Sequence, residues 1–256
     1  MIRVDWRLLI QGQLTWNWPF LFILVFITGG YVYYLSRYTN LKPFQKQPLF
    51  FYSAMLLLFL LIGSPITDYI KLSFSMHMLQ MSGLFFVFPP LLLIGISTIV
   101  LSKIQKPKLT RFFAMGRSAL YLFGILFFLY HVPLLLTFLL QFPLFHKTYL
   151  FILFLLAILM WIPFFNNQLS SNQKKKYAFM SGIMLMPACM LFIMSAFFQG
   201  GSGPLATQLT AHLCIPDADL LQLLPAFSFS ASDQLAAGFS MLAVHKLAIL
   251  TVKRRK

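Results

Sequence analysis

Three side chains about one helical turn apart, His77, Gln80 and Met81, interrupt an otherwise apolar stretch, SPITDYIKLSFSMHMLQMSGLFFVFPP over 64–90. Polar and soft-ligand groups placed a turn or two inside an apolar segment are costly, so they ask for a function. His77 and Met81 stand at i and i+4 and share a helix face, with Gln80 beside them. Imidazole plus thioether suits copper, above all Cu(I), far better than magnesium or calcium. His131 and His146, at the ends of two neighbouring apolar segments, could complete the set. Thirteen methionines make a single His–Met pair a weak motif, and each histidine alone fits a packing or hydrogen-bonding role. The shared height of three histidines is what favours a site.

A second tier of residues could support it. Asp68 reads as a turn former in SPITDY or as a carboxylate that orients a ligand. Ser232 and Asp233 read as the N-cap of their own helix, where an aspartate accepts backbone N–H bonds. Gln234, Gly238, Met241 and His245 fall at spacings of 4, 3 and 4, one continuous stripe. His245 is ~18 Å deeper than Asp233, and neighbouring Lys246 points to the cytoplasmic interface and a structural or topological role. His212 and Cys214 form a weaker possible ligand pair, read equally as a loop histidine and a small buried cysteine. Cys189, in MPACMLF, behaves as a small apolar residue.

These residues must be positioned by membrane helices. Of 256 residues, 59% are hydrophobic and only 10% charged, against roughly a quarter charged in a soluble domain. Mean hydropathy is +0.81. Two cysteines without a CxxC pattern exclude a disulfide framework or zinc ribbon. Segments near the ~20 residues needed to cross a bilayer lie at 18–36, 48–64, 72–98, 112–131, 146–165, 177–199 and 232–252. The expectation is an all-α, polytopic single-bundle domain over 1–256 with seven transmembrane helices. Residues 1–17 form an amphipathic interfacial segment carrying Trp6 and Trp16, with Trp18 close by, and no A-x-A-like cleavage site follows. The stretch 132–143, bounded by Pro133 and Pro143, is too short to span and suits an interfacial or re-entrant turn. Residues 200–231 form a Gly-, Pro- and Leu-rich external loop.

Orientation follows from the charges, twenty Lys and Arg against five Asp and no Glu. Seven spans put sixteen basic residues on one side and leave Arg3, Arg7, Lys71 and Lys147 on the other. The richer side is cytoplasmic, so the N-terminus is outside and the C-terminus inside. Basic runs between apolar segments point to anionic lipid head groups and away from nucleic acid. All five aspartates and four of the five histidines then gather at the outer end. No GxSxG, P-loop, HExxH or dinucleotide fingerprint is present, which argues against an enzyme. Without Glu or a mid-membrane Asp, a proton-coupled transporter is disfavoured.

The blocks SP..DY (64–69), MHMLQM (76–81) and PPLLLIG (89–95) resemble the CtaG-type cytochrome c oxidase assembly factors of bacteria, known from caa-type oxidases. The resemblance continues through YHVP (130–133), His146 before MWIP (160–163), and SDQLAAGFSM (232–241). It implies a seven-helix protein of the bacterial cytoplasmic membrane, needed to build a haem–copper oxidase, with an oxidase subunit as partner and copper delivery as its task. The family also occurs with an HMxQH central motif. Met81 occupies the second histidine position, which leaves either a softer His–Met pair or a motif that does not ligate directly. Two other readings stay open, a metal-free assembly scaffold and a membrane haem protein with two outer histidines as axial ligands. A permease would need polar residues along a whole pathway, and only His245 lies deeper.

Overall fold

The computed structural model describes residues 16–39, 42–70, 73–96, 110–165, 170–199 and 231–253. These are helical almost throughout, with no strand among them. His212, Cys214 and nearly all of the expected external loop lie outside the described residues, as do residues 1–15.

Proline, glycine and polar caps set the boundaries. Helix α1 (Trp18–Tyr38) starts where the Asn17 side chain accepts from the Phe20 N–H. Helix α2 (Lys46–Ile62) stops at Gly63, and the short α3 (Ile66–Ile70) follows. Helix α4 (Phe74–Ser82), a π-helical turn (Gly83–Val87) and α5 (Phe88–Gly95) form one 22-residue apolar rod. Then come α6 (Thr110–Tyr130), α7 (Pro133–Gln141), α8 (Pro143–Phe165), α9 (Ser171–Gln199) and α10 (Ala231–Lys253).

Each of the seven expected segments falls on one of these helices. Five are long and apolar enough to cross a membrane: α1, the α4–α5 rod, α8, α9 and α10. Helix α2 and the Gly116–Tyr130 part of α6 are shorter apolar helices. The nine-residue α7 reaches only ~14 Å; it buries Leu139 and exposes Leu134.

Contacts between helix ends show that neighbours run antiparallel. At one end, the Asn17 N–H donates to the Gly63 carbonyl, and Tyr130 meets His146. At the other, the Tyr31 hydroxyl donates to Gly95 O at 2.6 Å and the Gln47 amide to Ile96 O at 2.8 Å. There α5 crosses α2 so closely that a Cβ on Gly95 would stand 2.4 Å from the Phe51 nitrogen. Apolar surface lies on both sides of the bundle wall: Phe85, Phe86, Phe123 and Phe127 are buried, whereas Phe22, Phe26 and Phe179 face outward. That is the pattern expected where lipid replaces water around the helices.

The π turn has a local cause. Pro89 and Pro90 carry no N–H, so the carbonyls of Phe85 and Phe86 lose their usual donors four residues on. The backbone widens instead, and the Phe88 N–H reaches back five residues to Gly83 O. The Trp161 indole N–H, on α8, donates to Phe85 O at 3.0 Å in the buried interior. A neighbouring helix thus re-satisfies the backbone freed by the double proline. Replacing Trp161 by Phe orphans that carbonyl and should cost about 1–3 kcal/mol. The check is the thermal unfolding midpoint of the detergent-purified protein, which should fall; an unchanged midpoint would show that the indole bond contributes nothing.

Candidate metal site

The site helix is fixed at its start by a residue far away in sequence. The Asp233 carboxylate, on α10, accepts from Ser73 Oγ at 2.9 Å and from the Phe74 N–H at 2.9 Å. It also accepts from the Ser75 N–H at 3.3 Å and Ser75 Oγ at 2.5 Å. An anion here satisfies the orphan N–H groups of the first turn and complements the positive end of the helix dipole. Asp233 therefore caps α4 across a helix interface, which the expectation of a cap on its own helix did not foresee. His77 lies one turn below, and its N–H bonds the Ser73 carbonyl.

Past this cap, a cavity of about 540 Å³ opens between two packing clusters. One cluster is built mainly by α1, α2 and α5, the other by α4, the π turn, α6 and α8 to α10. His77, Gln80, Met81, Tyr130 and His146 all line the cavity, with Thr67 of α3 at its edge. Gln80 donates its amide to Leu61 O at 2.5 Å, which ties the site helix to α2. The Nε2 atom of His77 is buried and has no hydrogen-bond partner.

Three of the four expected ligands, His77, Met81 and His146, thus share one cavity. Its fourth expected ligand, His131, is adjacent but does not line it. His131 is 1% exposed, boxed by the rings of Phe127, Tyr130 and Phe192 at centroid distances of 4.6, 5.3 and 5.0 Å. His131 Nδ1 bonds the Phe127 carbonyl at 2.6 Å. A carbonyl only accepts, so this nitrogen holds the proton and Nε2 keeps a lone pair. That Nε2 is also buried and unpartnered. His146 Nε2 meets the Tyr130 hydroxyl at 3.1 Å, with the two rings stacked at 5.9 Å. Among the described residues, no three His, Cys, Asp or Glu side chains gather closely enough to hold a metal ion.

The supporting residues divide. Gln234 is 5% exposed, and its Oε1 is buried without a partner. With Gly238, Met241 and His245 it forms the expected stripe, which faces the interior along its whole length. His245 stands at the end of that stripe away from Asp233. It is 4% exposed and packs on Phe86 and Trp161 at 5.0 and 6.3 Å, while Lys246, one position on, is exposed. Asp68 sits on α3, beside Thr67 in sequence. Cys189 is fully buried. Sequence reasoning missed Tyr130 as a site residue, although its place beside His131 in YHVP is a usable signal.

An all-helical protein with several helices able to cross a membrane, and with histidines, glutamine and methionine gathered at one end, is compatible with a multi-pass membrane protein. The family model for "Cytochrome c oxidase caa3 assembly factor" matches residues 29–253, and the chain belongs to this family. No curated protein and no solved structure matches the chain.

Removing the Asp233 carboxylate leaves the donors of Ser73, Phe74 and Ser75 without their acceptor. Asp233→Ala should cost about 1–2 kcal/mol, and Asp233→Asn less, since an amide oxygen still accepts. Urea or thermal unfolding in detergent measures both. Equal stability of the alanine variant and the parent would show that the cap does not hold α4.

Proposed function

We propose that this oxidase assembly factor holds Cu(I) as cargo in the cavity of His77 and Met81 and passes it to a haem–copper oxidase subunit. The observation that carries the reading is the pairing, in one cavity, of an imidazole whose Nε2 has no protein partner with a thioether on the same helix face. A soft two-residue set selects Cu(I), whereas zinc asks for about four N or S ligands. His146 is the third candidate ligand; it would join through Nδ1 or by releasing the Tyr130 hydroxyl. His131, behind Tyr130, offers a lone pair to a copper ion that moves one step inward.

The role is non-enzymatic. Delivery requires exchange of one ligand set for another, and a site short of ligands favours release. The seven-segment reading of the sequence assigns sixteen basic residues to the cytoplasmic side, and on that reading His77, His131 and His146 belong to the outer face of the bacterial cytoplasmic membrane in one seven-helix domain. The buried rings of Phe85, Phe86, Phe123 and Phe127, in mutual edge-to-face or stacked contact, lie inward of the cavity. This aromatic packing favours hand-over at the outer face over permeation.

The lack of a three-ligand cluster among the described residues favours a second reading, a metal-free scaffold that docks an oxidase subunit. Titration of the purified protein with Cu(I) against a competing chelator separates the two. About one bound copper is expected, with affinity reduced roughly tenfold or more, ~1.4 kcal/mol, in both His77→Ala and Met81→Ala. Unchanged stoichiometry and affinity in both variants would remove these residues from the site and leave the scaffold.

A further inference from the structure

The end of the bundle opposite the histidines holds a second cavity, of about 310 Å³, between α9 and α10 where α8 ends. Lys174 and Lys175 of α9 and Lys246 of α10 line it, over an apolar floor that includes Phe164, Ile249 and Leu250. Among the described residues, the lining carries three lysines and no carboxylate. Lys175 and Lys246 are exposed, and Leu250 is 43% exposed. Along the same two helices, Phe179 and Leu247 turn outward at 71% and 60% exposure, so the cavity is continuous with apolar helix surface.

We infer that this cavity binds an anionic phospholipid, its phosphate held among Lys174, Lys175 and Lys246 and one acyl chain against Phe164, Ile249 and Leu250. Charge complementarity selects the head group, because lysines of two helices, with Lys175 and Lys246 exposed, line one cavity in which the described residues offer no carboxylate. The apolar floor selects a lipid over a soluble phosphate, since half of the binding surface would otherwise face water. Basic pockets between membrane helices are a recurrent setting for acidic lipid head groups, each lysine near the head group being worth about fivefold in affinity. The site also fits the architecture. Lys174 and Lys175 lie in the first turns of α9, and Lys246 lies in the last third of α10, so a bound head group bridges the helix pair whose other end carries Asp233. This inference is independent of copper, and neither His77 nor Met81 takes part in it.

Native mass spectrometry of the full-length protein in detergent tests it, with equimolar dioleoyl phosphatidylglycerol and dioleoyl phosphatidylcholine. The parent protein should retain the anionic lipid preferentially. Lys174→Gln, Lys175→Gln and Lys246→Gln combined should lower that preference roughly tenfold or more, and the corresponding triple Arg variant should keep it. Because two of the lysines are exposed, Lys175→Glu with Lys246→Glu supplies a second variant that leaves the partly buried position intact, and it should lower the preference as well. Equal retention of both lipids by the parent, or an undiminished preference in both the Gln and Glu variants, would overturn the site. Displacement of the lipid by millimolar inorganic phosphate alone would show an anion site with no acyl component and would overturn the lipid assignment.

Discussion

One carboxylate holds the geometry of the histidine end. Asp233 receives four hydrogen bonds from three consecutive residues at the start of α4. First-turn N–H donors have no partner within their own helix, and these partly buried ones find theirs in a side chain of another helix. A charged acceptor here fixes where α4 begins. With the first residue fixed, the i, i+3, i+4 spacing fixes the directions of His77, Gln80 and Met81 relative to the rest of the bundle. The same contact ties α10 to α4 at this end.

The middle of the same rod is held by a different device. Two consecutive prolines remove two donors, the chain answers with a π turn, and Trp161 satisfies the Phe85 carbonyl from α8. Between cap and π turn lie only nine helical residues, and these carry His77, Gln80 and Met81. Gln80 adds a third anchor by donating to Leu61 O. A short segment held at both ends and in the middle by three different helices presents its side chains in a defined arrangement. The cavity beside it exists because the two apolar clusters meet only partly, sharing Leu84 and Phe154 at their boundary.

Much of this was legible in the sequence. Hydropathy and proline spacing located the helices, and α7 was recognised as too short to span. The i, i+4 relation of His77 and Met81 put them on one face, and His146 at the start of the next apolar run joined them as expected. The stripe through Gln234, Gly238, Met241 and His245 faces inward. What failed were relations between helices. A capping aspartate reads identically whether it serves its own helix or another, so the tertiary role of Asp233 carried no local signal. For His245 the charged neighbour said nothing of packing, because adjacent residues on a helix face different surroundings: His245 packs on Phe86 and Trp161 while Lys246 is exposed. His131 does not line the cavity, which Tyr130 does, and the Phe192 ring that packs on it comes from another helix that no spacing rule brings there.

The account rests on an imidazole and a thioether serving as the ligands of one copper ion. X-ray absorption at the copper edge of the Cu(I)-loaded, full-length protein reads those ligands directly. The account predicts at least one sulfur and one imidazole nitrogen in the copper shell, with the sulfur lost in Met81→Ala. A shell of nitrogen and oxygen alone in the parent protein, or an unchanged spectrum in Met81→Ala, would contradict it.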